Sequence, residues 1–251
     1  MEHREYIKLQ ENADVAILFI HGIVGTPNHF NELIKLAPRD FSVYNMLLDG
    51  HGKEPKDFAK SSMKKWESQV ENTVTELLKS HREIYIVGHS MGTLLGMEAA
   101  TKHKEITKLF LLASPLKIAL KPKAFTTSMK VYFNKIKPTD YMAKAAQKCY
   151  GVSPTKNPFH YLAWLPRMIE LFNKSRKTRN TLKKIDAYCV AYQSTLDELV
   201  SKKSIKYLKQ NPKIIVKELK NSYHYYYDEK DLLLLHNEFK EMLGARESKI
   251  K

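Results

Sequence analysis

The segment Gly88-His89-Ser90-Met91-Gly92 carries the most specific chemical signal in this chain of 251 residues. It follows an apolar run that ends at Val87 and precedes a helical segment rich in small residues, which predicts a tight turn from strand to helix. Such a turn strains its central residue, and Gly88 and Gly92 let the chain pass close to itself. Ser90 is therefore a candidate nucleophile, with the Met91 N–H directed at developing negative charge.

A second turn, His21-Gly22-Ile23, closes an earlier apolar run. Acyl transfer through a tetrahedral intermediate requires two N–H donors that point at one oxyanion. The backbone N–H of Ile23 is the candidate for the second donor, with His21 and Gly22 shaping the turn. Taken alone, a His-Gly pair is equally typical of an ordinary turn.

The elements that would position these residues alternate between strand and helix. Apolar runs predict strands at about 15–20, 41–48, 83–87, 106–113, 187–192 and 214–219. Helical spacing predicts helices at about 31–36, 63–79, 93–103 and 230–243. Several of these strands are continuously apolar and not alternating. This pattern predicts an α/β fold, with a mostly parallel sheet covered by helices on both faces.

One stretch breaks this alternation. Residues 116–184 contain helical pieces and no convincing strand, so they are predicted to form a helical insertion above the sheet. The core would then comprise residues 1–115 and 185–251. Within the insertion, the run 159–165 is aromatic and apolar, and Pro166 favours two helical pieces that meet there.

These motifs resemble those of the α/β-hydrolases, and specifically of small bacterial carboxylesterases and monoacylglycerol lipases. The residues that carry the resemblance are His21-Gly22-Ile23-Val24-Gly25-Thr26-Pro27, Asp49-Gly50-His51-Gly52 and Gly88-His89-Ser90-Met91-Gly92. The resemblance implies an α/β-hydrolase fold in which the insertion is a cap over the active site. The family often has an aromatic residue where Ile23 stands, a difference that bears on the lining of the acyl pocket.

The resemblance also implies an acid after a late strand and a histidine before the last helix. Asp197 follows the strand at 187–192 and begins the family's Asp-x-x-Val pattern, which makes it the favoured acid. Glu198 is its rival, and both could instead be solvated charges of the following helix. Among ten histidines, His224 alone lies in the loop before the final helix, so it is the predicted base.

The predicted function is therefore a serine esterase that hydrolyses short to medium acyl esters, including monoacylglycerols, through an acyl-enzyme on Ser90. A lysophospholipase, thioesterase or acyltransferase would use the same triad, and the sequence does not separate them. The alternative from a different functional class is a catalytically inactive hydrolase fold that only binds a ligand or partner. No cofactor is expected, and no metal-ligand spacing is present.

Composition sets further bounds on the partners and the location of the protein. The chain is 43% hydrophobic with two cysteines, which excludes a disordered chain and a disulfide framework. Its charged N-terminal segment predicts no signal peptide, and a cytoplasmic location follows as the expectation. No nucleic-acid module is recognised, and the oligomeric state is not predicted.

The net charge of +15 is concentrated in one place. Residues 117–184 hold sixteen lysines and arginines against two acids, or +14, whereas the rest of the chain holds 26 bases and 25 acids. The plain interpretation is a solvated cap surface that keeps the protein soluble. The alternative is a basic, aromatic cap that contacts anionic lipid or attracts an anionic amphiphile such as a lysophospholipid.

Overall fold

A seven-stranded sheet forms the centre of the computed structural model, which describes residues 3–153, 157 and 159–244. Its strands are β1 (Tyr6–Lys8), β2 (Val15–Ile20), β3 (Ser42–Met46), β4 (Glu83–His89), β5 (Ile106–Leu112), β6 (Tyr188–Ser194) and β7 (Ile214–Leu219). The order is β1-β3-β2-β4-β5-β6-β7. Every pairing is parallel except that of β1 with β3. The predicted α/β-hydrolase fold class is confirmed.

Helices cover both faces of this sheet. Outside the insertion they are α1 (Asn31–Ile34), α2 (Pro55–Lys60), α3 (Met63–Leu77), α4 (Met91–Ala100), α9 (Ser204–Leu208) and α10 (Glu229–Met242). All six residues of β2 are buried, and alternate ones enter different clusters. Leu18 shares a core with Trp66 of α3, whereas Phe19 lies in the second core with Phe239 of α10. The continuous apolar run is thus explained by burial on two sides.

The stretch between β5 and β6 contains four α-helices in its described residues. They are α5 (Pro122–Tyr132), α6 (Tyr141–Cys149), α7 (Phe159–Leu162) and α8 (Leu165–Thr181). Pro166 lies in the first turn of α8, where its missing N–H costs no hydrogen bond, and the break between α7 and α8 precedes it. Residues 154–156 and 158 of the predicted insertion lie outside the described residues, as do residues 1–2 and 245–251 of the predicted core.

Some boundaries differ from the prediction for local reasons. The strand β1 was not predicted, because it is only three residues long and Tyr6 and Ile7 are about half exposed. The helix expected from about residue 93 begins at Met91, directly after Ser90. Ser62 caps α3, since its hydroxyl accepts a hydrogen bond from the Lys65 N–H. No helix in the described part of the chain combines the length and apolarity of a membrane span.

Candidate active site

Ser90 lies in the tight turn that its motif predicts. It is the single residue between β4 and α4, and its φ of 52° and ψ of −121° place it outside the regions that L-residues favour. A Cβ on Gly92 would stand 1.9 Å from the carbonyl oxygen of Ile20, and one on Gly88 would stand 2.8 Å from Thr93 backbone atoms. The turn therefore requires both glycines. Ser90 is only 5% exposed, but it lines the large cavity described below.

The loop after β2 lies directly against Ser90. A Cβ on Gly22 would stand 2.8 Å from the Ser90 Cβ, and the turn is closed by a hydrogen bond from the Gly25 N–H to the Gly22 carbonyl. Ile23 follows Gly22 and lines the same cavity as Ser90. Within the described residues, neither the Ile23 N–H nor the Met91 N–H donates a hydrogen bond. Both predicted donors are thus beside the serine and unused by the fold.

The His21 ring stabilises this loop through two hydrogen bonds. Its Nε2 accepts a hydrogen bond from the Leu48 N–H, so the ring proton is on Nδ1, which donates to the Gly22 carbonyl. The ring also packs edge-on against His51, with their centroids 4.7 Å apart. Burial lowers the pKa of both rings, that of His51 to about 4, so both are neutral supports of the loop.

The structure brings His224 and Asp197 together. His224 Nδ1 lies 2.9 Å from Asp197 Oδ2, and each side chain is 1% exposed. The other carboxylate oxygen, Oδ1, accepts two backbone N–H bonds of 2.8 Å, from Leu199 and Val200. The carboxylate is therefore fixed at one oxygen by the chain and presents the other to the imidazole.

The rival acid, Glu198, has a different position. Its Oε2 accepts the backbone N–H of His224 at 3.2 Å, while the imidazole bonds to Asp197. Burial raises the pKa of Glu198, and the neighbouring charge of Asp197 acts in the same direction. Asp186, two residues before β6, is exposed and accepts a hydrogen bond from Lys213. The geometry thus favours Asp197 as the partner of the histidine ring.

The protonation of His224 reflects these two acids. Burial would lower its pKa, but the charge and hydrogen bond of Asp197 and the charge of Glu198 outweigh it and hold the pKa above the ordinary value. His224 and Ser90 line one cavity. Within the described residues, no hydrogen bond joins Ser90 Oγ to His224 Nε2. Catalytic hydrogen bonds of this kind often shorten only when substrate binds.

Two further histidines support the candidate base, and neither role was predicted from the sequence. His89 Nε2 lies 3.0 Å from the His224 carbonyl, and it must be the donor because a carbonyl only accepts. The His29 ring stacks on His89, with centroids 3.8 Å apart. Burial lowers the pKa of both, that of His29 to about 3, so the pair is neutral. His29 lies in a short 3-10 turn directly after the motif that ends at Pro27, and the sequence contains no signal for its contact with His89.

A cavity of about 1600 Å³ lies between the carboxyl edge of the sheet and the insertion. Its apolar wall comes mainly from α5 and α8 and the segments beside them: Ile118, Phe125, Met129, Trp164, Met168 and Leu171. Its charged lining residues are the cations Arg4, Lys144 and Lys148, and no Asp or Glu of the described residues lines it. The cavity is therefore apolar on one side and cationic on another.

The tyrosines after His224 divide between these surroundings. Tyr225 is buried, lines the cavity, and lies edge-on to the His224 ring with centroids 4.7 Å apart. Tyr227 packs against His29, and Tyr226 stacks on Tyr141 of α6. Two of the three thus serve packing and one borders the candidate base.

One strand-like segment of the insertion passes between two core loops. The Gly151 N–H donates to the Val24 carbonyl at 2.8 Å, and the Gly151 carbonyl accepts the Gly52 N–H at 2.6 Å. A Cβ on Gly151 would stand 1.9 Å from the Gly25 carbonyl oxygen, so only glycine allows this approach. The insertion is therefore hydrogen-bonded to the loop that carries Ile23.

Comparisons with known proteins agree with this architecture. The chain is 31% identical over 97 residues to the thermostable monoacylglycerol lipase of Bacillus sp. (strain H-257), a match that covers 38% of this chain and 39% of that protein. It is 28% identical over 116 residues to the probable lysophospholipase BODYGUARD 4 of Arabidopsis thaliana, covering 45% of this chain and 27% of that protein. Both matches thus span well under two thirds of the relative.

The fold extends over almost the whole of a solved relative. The crystal structure of Paleococcus ferrophilus monoacylglycerol lipase superposes with a TM-score of 0.66 at 16% identity, covering 97% of this chain and 99% of that chain. At the level of families, residues 11–231 match Hydrolase_4, described as serine aminopeptidase, S33. The chain therefore belongs to the Hydrolase_4 family and has the α/β-hydrolase fold.

Proposed function

We propose that the protein hydrolyses carboxylic esters through an acyl-enzyme on Ser90, with His224 as general base and Asp197 as its partner. The observation that carries this proposal is the buried Asp197–His224 hydrogen bond of 2.9 Å at a cavity that also contains Ser90. Because His224 Nδ1 donates to the carboxylate, its Nε2 has a lone pair free to accept the serine proton.

The reaction then has two half-reactions. His224 Nε2 takes the Ser90 proton while Oγ forms a bond to the ester carbonyl carbon. The tetrahedral intermediate collapses, the alcohol leaves with the proton from His224, and the acyl group stays on Oγ. Water, deprotonated by His224, then attacks the acyl carbonyl, and release of the acid returns the proton to Ser90. Asp197 holds the tautomer and stabilises the imidazolium in both steps.

The N–H groups of Ile23 and Met91 are proposed to bind the oxyanion. Their positions support this role, because Gly22 contacts Ser90 and Met91 begins the helix that follows it. Donors aimed at developing charge in a site shielded from water contribute strongly to acyl transfer. Within the described residues, neither N–H donates another hydrogen bond that would have to break before it binds the oxyanion.

The insertion is proposed to act as the cap that selects the substrate. Its apolar residues on α5 and α8 line most of one wall of the cavity. A space of about 1600 Å³ accommodates an acyl chain together with a glycerol-sized alcohol. Short to medium acyl esters, including monoacylglycerols, are therefore the proposed substrates.

The direct test is turnover of a chromogenic short-chain ester by Ser90→Ala. We expect activity to fall to background, and a fluorophosphonate probe to label the wild type but not the variant. Ser153→Ala is the matched control, because Ser153 lines the same cavity at its exposed side. Undiminished turnover by Ser90→Ala would refute the assignment, and a catalytically silent fold would show neither turnover nor labelling of the wild type.

A lysophospholipase activity is the second candidate, favoured by the cationic lining of the cavity. Lys144 and Lys148 lie one helical turn apart on α6, and in the described part of the chain no carboxylate lines the cavity beside them. An anionic headgroup would be attracted to this pair. A panel of monoacylglycerol, lysophosphatidylglycerol, acyl-CoA and nitrophenyl esters separates the activities. Lys144→Gln/Lys148→Gln should lower kcat/KM for the anionic ester more than for the neutral one.

A cytoplasmic location is proposed on the state of the cysteines. Cys149 and Cys189 are both buried and not joined in a disulfide. Burial raises the pKa of the Cys149 thiol to about 12, so this thiol is unreactive at neutral pH. Cell fractionation with a reporter fused to the chain would test the location.

A further inference from the structure

The insertion exposes an apolar stripe along α7 and α8. Its members are Phe159, Leu162, Leu165, Ile169 and Phe172, which are exposed by 73%, 59%, 56%, 59% and 50%. Their spacing of three or four residues places them on one side of the helical path. Large apolar side chains scattered singly are ordinary on a surface, but a contiguous patch indicates a site of interaction.

This stripe continues into the opening of the cavity. Phe172 is half exposed and also lines the cavity. Leu120 and Phe125, which are 72% and 68% exposed, line the cavity on the other side. Residues that both line a cavity and face solvent form its rim. The apolar stripe and the cavity wall are therefore one continuous apolar surface, from the outside of the insertion towards Ser90.

Positive charge borders the rim on both sides. Lys117 and Lys121 flank Leu120, and Arg176 follows Phe172 by one helical turn, and all three are exposed. None of them forms an ion pair within the described residues. The rim is thus apolar at its centre and cationic around it.

The two acids of the insertion do not offset this charge. Asp140 caps α6 through the Ala143 N–H and bonds to Lys130 at 2.6 Å. Glu170 binds Arg167 and accepts the Met63 N–H at 2.9 Å. Since residues 117–184 contain no other acid, the insertion itself contributes no free carboxylate to the rim.

We propose that this surface docks on an anionic lipid layer, with the apolar stripe in the acyl–headgroup boundary and the lysines and arginine on the headgroups. Charge complementarity identifies the partner, because the exposed, unpaired cations at the rim repel a second copy of the same surface and attract phosphate-bearing lipids. Docking in this orientation turns the rim towards the lipid, so a lipid ester enters the cavity without crossing water. The docking does not depend on the proposed chemistry at Ser90.

Co-sedimentation of the full chain with vesicles tests the proposal. We expect binding to vesicles of phosphatidylcholine mixed with phosphatidylglycerol, weaker binding at high salt, and little binding to phosphatidylcholine alone. Each cation at such a surface contributes about fivefold in partitioning, so Lys117→Gln/Lys121→Gln/Arg176→Gln should bind about 10²-fold more weakly. Leu162→Ser/Leu165→Ser/Ile169→Ser should also lose binding, because it removes apolar side chains from the acyl–headgroup boundary.

The controls separate this proposal from the esterase assignment. Lys206→Gln/Lys209→Gln/Lys240→Gln removes the same charge from exposed lysines outside the insertion and should bind like wild type. Ser90→Ala should also bind like wild type, whatever its activity. The Lys117/Lys121/Arg176 variant should keep its turnover of a water-soluble ester and lose turnover of an ester embedded in vesicles. Equal binding to both vesicle types, indifference to salt, or an equal loss in the control variant would overturn the proposal, as would tighter salt-dependent binding to RNA.

Discussion

The substitution Asp197→Asn tests the candidate site most sharply, because the structure fixes how the new amide would be oriented. Oδ1 of Asp197 accepts the N–H groups of Leu199 and Val200, both at 2.8 Å. The asparagine must keep its carbonyl oxygen there, since an NH2 group facing two N–H donors would leave buried groups unsatisfied. Its NH2 group therefore faces His224 Nδ1, where the carboxylate oxygen now lies at 2.9 Å.

That orientation forces the wrong tautomer on the base. An NH2 group donates, so His224 Nδ1 must become the acceptor and its proton must move to Nε2. The ring can then no longer take the proton of Ser90. Imposing the wrong tautomer in a triad of this kind costs about 10⁴-fold in kcat, equivalent to about 5.5 kcal/mol in the activation free energy.

The assay is steady-state hydrolysis of a chromogenic ester, with ¹⁵N NMR of the histidine rings to report the tautomer. Glu198→Gln is the matched control. Its side-chain carbonyl can still accept the His224 N–H, which Glu198 Oε2 now accepts at 3.2 Å, so we expect less than about a tenfold loss. Activity of Asp197→Asn within tenfold of wild type would refute the reasoning, as would an equal loss in both variants.

Three further predictions concern the loop, the base and the fold. Gly151→Ala should lower kcat by about 10²-fold with a smaller change in KM, because its Cβ would stand 1.9 Å from the Gly25 oxygen and displace the loop; an unchanged kcat would contradict this. A pH profile of kcat/KM should have its acid limb above pH 6.5, because the pKa of His224 is raised and only the unprotonated ring acts as base; a limb below pH 6 would oppose it. Lys174→Met should lower the free energy of unfolding by about 2 kcal/mol in urea titration, since it leaves two part-exposed carboxylates without their buried cation; an unchanged midpoint would argue against the pairing.

Much of the core fold can be predicted from the sequence because burial on two faces leaves a strong signal. The run Val15–Ile20 is apolar throughout, and the structure buries every residue of it. The short edge strand Tyr6–Lys8 has no such signal, because it is held by pairing with β3 and not by burial. Long periodic elements are therefore predictable, whereas a three-residue edge depends on its partner.

The candidate site divides in the same way. Ser90 is predictable because a strained turn needs glycines at fixed positions, and those positions are visible in the sequence. The distinction between Asp197 and Glu198 rested on resemblance, since adjacent acids differ only in the direction of their side chains. His29 could not be predicted, because its contact with His89 joins residues 60 positions apart and leaves no local pattern.

The aromatic run at 159–165 shows that composition alone does not predict which apolar residues line a cavity and which face solvent. Within this run only Tyr161 and Trp164 line the cavity, while Phe159, Leu162 and Leu165 face outward. Two apolar faces on one short helical path cannot be assigned to inside or outside by hydropathy alone. The charge count of the insertion, in contrast, could be read directly and is unchanged by the fold.

The passage of Gly151 between the core loops sets a limit on how enzymes of this architecture can be recombined. The hydrogen bonds from the Gly151 N–H to Val24 and from the Gly52 N–H to Gly151 join backbone atoms. They depend on where the backbone of residue 151 lies, and the helices on either side of it do not form them. A chimera that exchanges the whole of residues 116–184 would remove these hydrogen bonds from the loop that carries Ile23. Grafts that retain residues 150–153 with the recipient core should preserve turnover, whereas specificity would follow the helices on either side.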